Sequence, residues 1–285
     1  MSESMIAAEE LSFRHGAGAG GATNALDAVS FTIERGRRVA LLGANGAGKT
    51  TLLLHLNGIL RPNSGRIRFF GEPLDYSTRG LAALRERIGL VLQDPDDQLL
   101  AATVIEDVAY GPLNLGRSPA EALRRAEETL ERMELGAMRD RPPHLLSGGE
   151  RKRVALAGVL VMKPEVFLLD EPFAGLDANG VERLMAELDE NFGRESTVIF
   201  STHETDLAYA WADDAILLSE GRIVGQGPVA TVLGDAALLA AARMPLPWII
   251  EIGRALGMED LSRVRTRKDF MERCHEMTLG VRHTL

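Results

Sequence analysis

Residues 43–50, Gly43-Ala44-Asn45-Gly46-Ala47-Gly48-Lys49-Thr50, place glycines, a lysine and a hydroxyl residue at the spacing G-x-x-x-x-G-K-[ST]. Glycine lets a backbone curl close to phosphate oxygens, so the loop's N–H groups and the positive end of the following helix face the negative charge. Lys49 is then expected to bridge the β- and γ-phosphates of ATP, Thr50 to ligate Mg²⁺, and Thr51 to extend the contact into the helix. The run Val166-Phe167-Leu168-Leu169-Asp170 reads as a buried strand ending in a carboxylate, and open α/β sheets bind ligands at the carboxyl ends of their strands. Asp170 is expected to hold the metal through water, leaving Glu171 to position or deprotonate the attacking water. Leu146-Ser147-Gly148-Gly149-Glu150 sets small residues at the opening of a second helix, where bare amides can again face phosphate.

The elements that must carry these groups follow from hydrophobic period and punctuation. Arg38 to Leu42 is a short apolar strand, Gly43 to Thr50 a turn, and Thr51 to Leu60 a helix-length apolar segment, giving a strand, loop and helix unit. Strands at Val166 to Leu169 and Thr197 to Ser201, separated by a helical pattern from Val181 to Phe192, favour right-handed parallel crossovers. Leu90 to Leu92 is a further strand. Ser118 and Glu121 around Pro119 predict a capping box that opens a helix running toward Gly136. Upstream, Ile6 to Phe13 and Val29 to Ile33 predict antiparallel strands; Val29, Phe31 and Ile33 alternate with Ser30 and Thr32 at strand period. The Gly16 to Gly21 tract between them lacks a following helix and is expected to be a solvated connection. Ala215 to Ser219 and Arg222 to Gln226 flank a hairpin turn at Glu220-Gly221, and a boundary is expected near Asp235.

Bulk properties exclude several classes. At 285 residues with 45% hydrophobic content, the chain can bury one large α/β domain plus an appendage. Cys274 is the single cysteine and cannot form an internal disulfide, which points to a cytosolic setting. A net charge of -9 gives no nucleic-acid signal. The apolar run Val154 to Met162 falls short of the roughly 20 residues needed to cross a bilayer, so membrane association is expected to come through a partner. Met1 to Glu10 lacks the layout of a secretory signal and is expected to be mature sequence.

Taken together and in this order, the phosphate loop, Gln93, the LSGGE run at 146–150, Asp170-Glu171, Asp177 in Gly175-Leu176-Asp177, and His203 make the chain, over roughly residues 6 to 230, closely resemble the ABC ATPase family. The resemblance implies an α/β fold: a P-loop (RecA-like) core with an antiparallel β subdomain and a helical signature subdomain at roughly 94–163, within a nucleotide-binding domain at 1–234. A small C-terminal extension, 235–285, would follow as a dimerisation element. Two cassettes would pack head to tail, so that Ser147, Gly148, Gly149 and Glu150 of one chain act in trans on the ATP of the other. Gln93 would sense Mg²⁺ and water, Asp177 would link the two sites, and His203 would contact the γ-phosphate. The family usually has an aromatic residue stacked on adenine after the first strand. The fitting position here is His15, which either stacks over a smaller area or is a surface histidine.

Residues 93–100 and 103–112 further resemble the ATPases of energy-coupling-factor importers, especially those for cobalt and nickel. That implies a second ATPase subunit, taken as another copy of this chain, a transmembrane coupling subunit, a substrate-binding membrane subunit, and a peripheral place at the cytoplasmic face of the membrane. Asp94, Asp96 and Asp97, with Glu106 and Asp107, are expected to receive basic residues of the coupling subunit. The histidines at 15, 55, 144, 203, 275 and 283 are dispersed, so a transported ion is expected to belong to the partner. A vitamin importer would use the same motifs. Two rival readings share the phosphate chemistry: a soluble ABC-type ATPase acting on nucleic acid or ribosomes, and a P-loop kinase, against which LSGGE and His203 argue.

Overall fold

A computed structural model describes residues 4–16, 24–191, 196–258 and 260–282. Phe192, His283 and the Gly16 to Gly21 tract beyond its first residue lie outside them. The chain opens with β1, Ser4–Arg14, and β2, Asn24–Glu34, paired antiparallel. Val29, Phe31 and Ile33 point inward and Ser30 and Thr32 outward, as the alternation requires. Next come β3, Arg38–Leu42, and α1, Lys49–Leu56. This helix starts two residues before the expected Thr51, because Lys49 and Thr50 already have helical geometry. It stops before Gly58, whose φ of 71° breaks the turn.

Two short strands, β4 at Ser64–Phe69 and β5 at Glu72–Pro73, complete a four-stranded antiparallel sheet in the order β2-β1-β4-β5. Helix α2, Thr78–Arg87, leads into β6, Ile88–Val91, which sits slightly upstream of the expected strand. Then come α3, Val104–Asn114; α4, Pro119–Arg132; and α5, Gly148–Leu160, the three packed on one another. The box expected at α4 is only half formed. Ser118 accepts the Glu121 N–H, but the Glu121 carboxylate turns to Arg124 and Arg125. Charged guanidinium donors outcompete a neutral amide for it. Full capping boxes form instead at Thr103 with Glu106 and at Ser147 with Glu150.

The second half alternates β7, Val166–Leu169; α6, Ala178–Asn191; β8, Thr197–Thr202; and α7, Thr205–Trp211. A hairpin of β9, Asp214–Ser219, and β10, Arg222–Pro228, turns at Glu220 and Gly221, both at positive φ. The larger sheet has six strands in the order β10-β9-β3-β8-β7-β6, parallel except for β10. Its central strands read as continuous apolar runs because both faces are covered. Val39 and Leu41 face a core shared with the antiparallel sheet and α1, whereas Ala40 and Leu42 face one shared with the helices.

Beyond β10 lie α8, Val229–Gly234; α9, Ala236–Ala241; α10, Trp248–Ala255; and α11, Arg267–Arg282. Leu239, Ile249, Ile250, Leu261 and Phe270 join the same buried cluster as the helical face of the sheet. They are anchored on α7. The Arg265 guanidinium donates to the carbonyls of Tyr209 and Ala212, capping the C-terminal end of that helix and lying 5.1 Å from the Tyr209 ring. The Tyr209 hydroxyl donates to the Leu261 carbonyl at 2.6 Å, and Asp206 accepts the Trp248 N–H at 2.7 Å. Changing Arg265 to Ala removes charge-assisted bonds to partly buried carbonyls; urea unfolding should show a loss of about 2 kcal/mol, and Tyr209→Phe about half of that.

Candidate active site

The phosphate loop needs its glycines for distinct reasons. Gly43 (φ 153°) and Gly48 (φ 105°) lie against the chain: a Cβ would come 2.5 Å from the Leu218 carbonyl oxygen at the first and 2.4 Å from that of Ala25 at the second. Gly46 has open space, and its φ of 80° alone favours glycine. Gly48 is also the left-handed residue that opens α1, so the helix N-terminus looks into the loop.

Lys49 is buried at the loop's centre. Its Nζ donates to the Gly43 carbonyl at 2.8 Å and lies 3.4 Å from Glu171 Oε1. Asp170, at 2% exposure, accepts from Thr50 Oγ1 at 2.7 Å and from Ser201 Oγ at 2.5 Å. The same Ser201 hydroxyl accepts the Glu171 N–H at 2.8 Å. Glu171 adopts φ 43°, a left-handed turn directly after β7, and this aims its carboxylate between Lys49 and His203. His203 Nδ1 lies 3.2 and 3.1 Å from the two Glu171 oxygens. A carboxylate so placed, at the mouth of a phosphate loop, is suited to take a proton from water.

A cleft of about 690 Å³ brings together His15, Asn24, residues 45–51, Gln93, Glu171 and His203. Thr50, Asp170 and Gln93 offer hydroxyl, carboxylate and amide oxygens, a hard donor set that fits Mg²⁺. His15 sits at the rim, its Nε2 3.3 Å from Thr51 Oγ1 and its ring edge-on to Phe13 at 5.0 Å. Phe13 in turn packs at 4.6 Å on His55. Burial lowers the His55 pKa, although its Nδ1 hydrogen-bonds the Thr51 carbonyl at 2.7 Å.

The signature residues stand outside this cleft. Ser147 accepts the Glu150 N–H at 3.3 Å while the Glu150 carboxylate accepts the Ser147 N–H at 2.7 Å, and these bonds lower the Glu150 pKa. Ser147 and Gly148 are exposed. Asp177 caps α6 by accepting the Gly180 N–H at 2.8 Å. Among the acidic residues after Gln93, Asp94 caps a short 3₁₀ turn over Pro95–Asp97, and Asp96 pairs with Arg151 at 3.0 Å. Asp107 accepts the N–H groups of Leu100 and Ala101. Several of these carboxylates therefore shape their own segment.

Two contributors were not singled out from sequence. Ser201 looked like ordinary strand residue, although a polar residue closing an apolar run beside Thr202-His203 is a usable signal. Lys152 gave no signal, because its partners are main-chain carbonyls: its Nζ donates to those of Glu171 and Pro172, both at 3.3 Å. Burial lowers its pKa, opposed by the charges of Glu171 and Asp94. Among the described residues no group of three or more His, Cys, Asp or Glu is placed to hold a metal ion, and no helix is long and apolar enough to cross a membrane.

A phosphate loop and an Asp-Glu pair at the ends of parallel strands, with an antiparallel sheet on one side and a glycine-led signature helix on the other, define an ATP-hydrolysing cassette. Residues 26–174 match the family described as ABC transporter. The chain is 48% identical over 263 residues to the cobalt import ATP-binding protein CbiO of Rhodobacter capsulatus, covering 92% of this chain and 90% of that one. It is 44% identical to the energy-coupling factor transporter ATP-binding protein EcfA of Methanosphaera stadtmanae, covering 83% and 85%. The solved structure of cbiO1 from Clostridium perfringens, part of the ABC transporter complex cbiONQ, superposes with TM-score 0.72 at 40% identity, covering 90% of this chain and 99% of that one. The chain belongs to the ABC transporter ATPase family, and its activity is ATP hydrolysis coupled to transport.

Changing Ser201 to Ala strands the Glu171 N–H and one Asp170 oxygen in a buried place. Steady-state ATPase should fall about tenfold or more, while nucleotide affinity by fluorescence titration stays within about twofold.

Proposed function

We propose that this chain energises a membrane importer of cobalt or nickel ions, working as a pair of cassettes that close head to tail over two ATP molecules at the cytoplasmic face. The observation that carries the paired reading is the signature. Gly148 and Gly149 have no positive φ, a Cβ on Gly148 would meet nothing, and one on Gly149 would come only to 3.6 Å from Leu176. Their own chain thus supplies no steric reason for glycine, which suits the close approach of phosphate from another chain. The solved dimeric cassette MJ0796 bound to ADP and Pi, 27% identical with TM-score 0.72, accords with such pairing.

Water is oriented by Glu171, which accepts its proton as the new bond to the γ-phosphorus forms and the bond to the ADP oxygen breaks. Lys49 and His203 sit on either side of that carboxylate, where they meet the charge of the γ-phosphate. Thr50, Gln93 and Asp170 would hold Mg²⁺, which when bound would supply neutralisation of the phosphate charge. Asp177 links the two sites while it caps α6, and His15 covers the adenine edge of the cleft.

A groove of about 640 Å³ beside α3 suits the coupling subunit: Ile59 (52% exposed) and Tyr110 (54% exposed) line it together with Asp97. Asp94 and Asp96 belong to the same short turn as Asp97. An apolar segment with basic flanks fits it. Cargo choice rests on the identity to the cobalt import protein; the energy-coupling-factor relatives are named without a cargo, and the same engine in a vitamin importer is the alternative reading.

Glu171→Gln should cut hydrolysis by roughly 100-fold or more, keep ATP affinity, and yield an ATP-dependent dimer in size-exclusion chromatography. A variant that hydrolyses ATP at the normal rate removes Glu171 as the base. Purifying the membrane assembly and measuring ATP-driven uptake into vesicles should show cobalt or nickel entry; uptake of a vitamin instead would overturn the cargo.

A further inference from the structure

Lys152 and Glu171 belong to different working parts. Lys152 lies one turn into α5, the helix opened by Ser147, Gly148 and Gly149, whereas Glu171 lies in the turn after β7. The Lys152 ammonium bridges them, donating to the carbonyls of Glu171 and Pro172 at 3.3 Å each. What it grips is a backbone out of its comfortable range. Glu171 has φ 43° with a Cβ present, and a left-handed residue is costly unless its surroundings hold it. Its N–H is held from one side by Ser201, and its carbonyl is shared by Ala174 N–H and Lys152 Nζ. Ser201 and Ala174 belong to the sheet and to the turn itself, so Lys152 is the member of this set that comes from the signature helix. Its neighbour Arg151 pairs with Asp96 in the segment after Gln93.

We propose that Lys152 is a positioning residue through which the signature helix of a chain sets the turn of that chain's own catalytic carboxylate. The first half of this, the setting of Glu171, stands on the geometry alone. The second half rests on the reading that the signature engages ATP held by the partner cassette. When that engagement shifts α5, the ammonium carries the shift to the Glu171 carbonyl, so occupation of one site tunes the base of the other. Asp177 offers no such grip on the Glu171 main chain, being occupied with the cap of α6.

The test uses the full-length protein with Lys152→Met, which keeps the stem and deletes the donor, and Lys152→Arg, which can still reach two carbonyls. In Lys152→Met, kcat should fall about tenfold, affinity for a non-hydrolysable ATP analogue should stay within about twofold, and the ATP dependence of the rate, expected to be sigmoidal in the parent chain, should become hyperbolic. Lys152→Arg should recover at least half of kcat and restore the sigmoid. Equal falls in kcat, analogue affinity and thermal midpoint would mark a merely structural lysine and overturn the proposal, as would an unchanged kcat. A lowered kcat with the sigmoid intact would overturn the link between sites. Should Lys152→Met fail to fold, Lys152→Gln reads the same quantities, with an intermediate kcat expected. The paired-cassette reading is judged separately: if Glu171→Gln stays monomeric in ATP, that reading falls whatever Lys152 does. A dimerising Glu171→Gln beside a fully active Lys152→Met overturns this proposal alone.

Discussion

Two adjacent carboxylates at the end of one buried strand are the constraint around which this molecule is arranged. Asp170 and Glu171 are 2% and 8% exposed, and buried charge is costly unless every oxygen finds a donor or a cation. Thr50 and Ser201 answer Asp170; Lys49 and His203 answer Glu171. Those four groups come from α1, from the end of β8 and from just beyond it, so β7 can hold its carboxylates only where β8 lies beside it and the phosphate loop is one strand further. The parallel order β3-β8-β7 is thus a requirement of the charge arrangement, not only a way to bury apolar strands.

The same arrangement explains what could be read in the chain before its fold was seen. Val166 to Leu169 is apolar throughout because both faces of β7 are covered, and such a run announces itself. The glycines at 43, 46 and 48 were equally legible, since positive φ and close backbone approach leave few alternatives to glycine. The alternation in β2 was plain because one of its faces is wet. Less legible was anything decided by competition between partners. Ser118 and Glu121 have the spacing of a capping box, yet Arg124 and Arg125 claim the carboxylate. Asp96 reads as free acid on a surface and is paired with Arg151.

Main-chain recognition was the least legible of all. Ser201 and Lys152 serve Glu171 through its N–H and C=O, groups that every residue has and that leave no pattern in side-chain types. A lysine beside an LSGGE run looks like one more solvated charge; only the path of the backbone after β7 shows what it reaches. Arg265 belongs to the same category, its partners being the carbonyls of Tyr209 and Ala212.

The hold of Arg265 on α7 bears on how the molecule is made. Chains emerge from the ribosome N-terminus first and their domains fold as they appear. The strands and loop around the cleft are complete once β9 and β10 have been laid down, but two carbonyls at the C-terminal end of the helix behind His203 gain their guanidinium donor only when residue 265 has been synthesised. A half-made cassette can therefore own its phosphate loop well before the helix after His203 is capped. The order of synthesis thus makes the cap of this helix one of the last contacts to form.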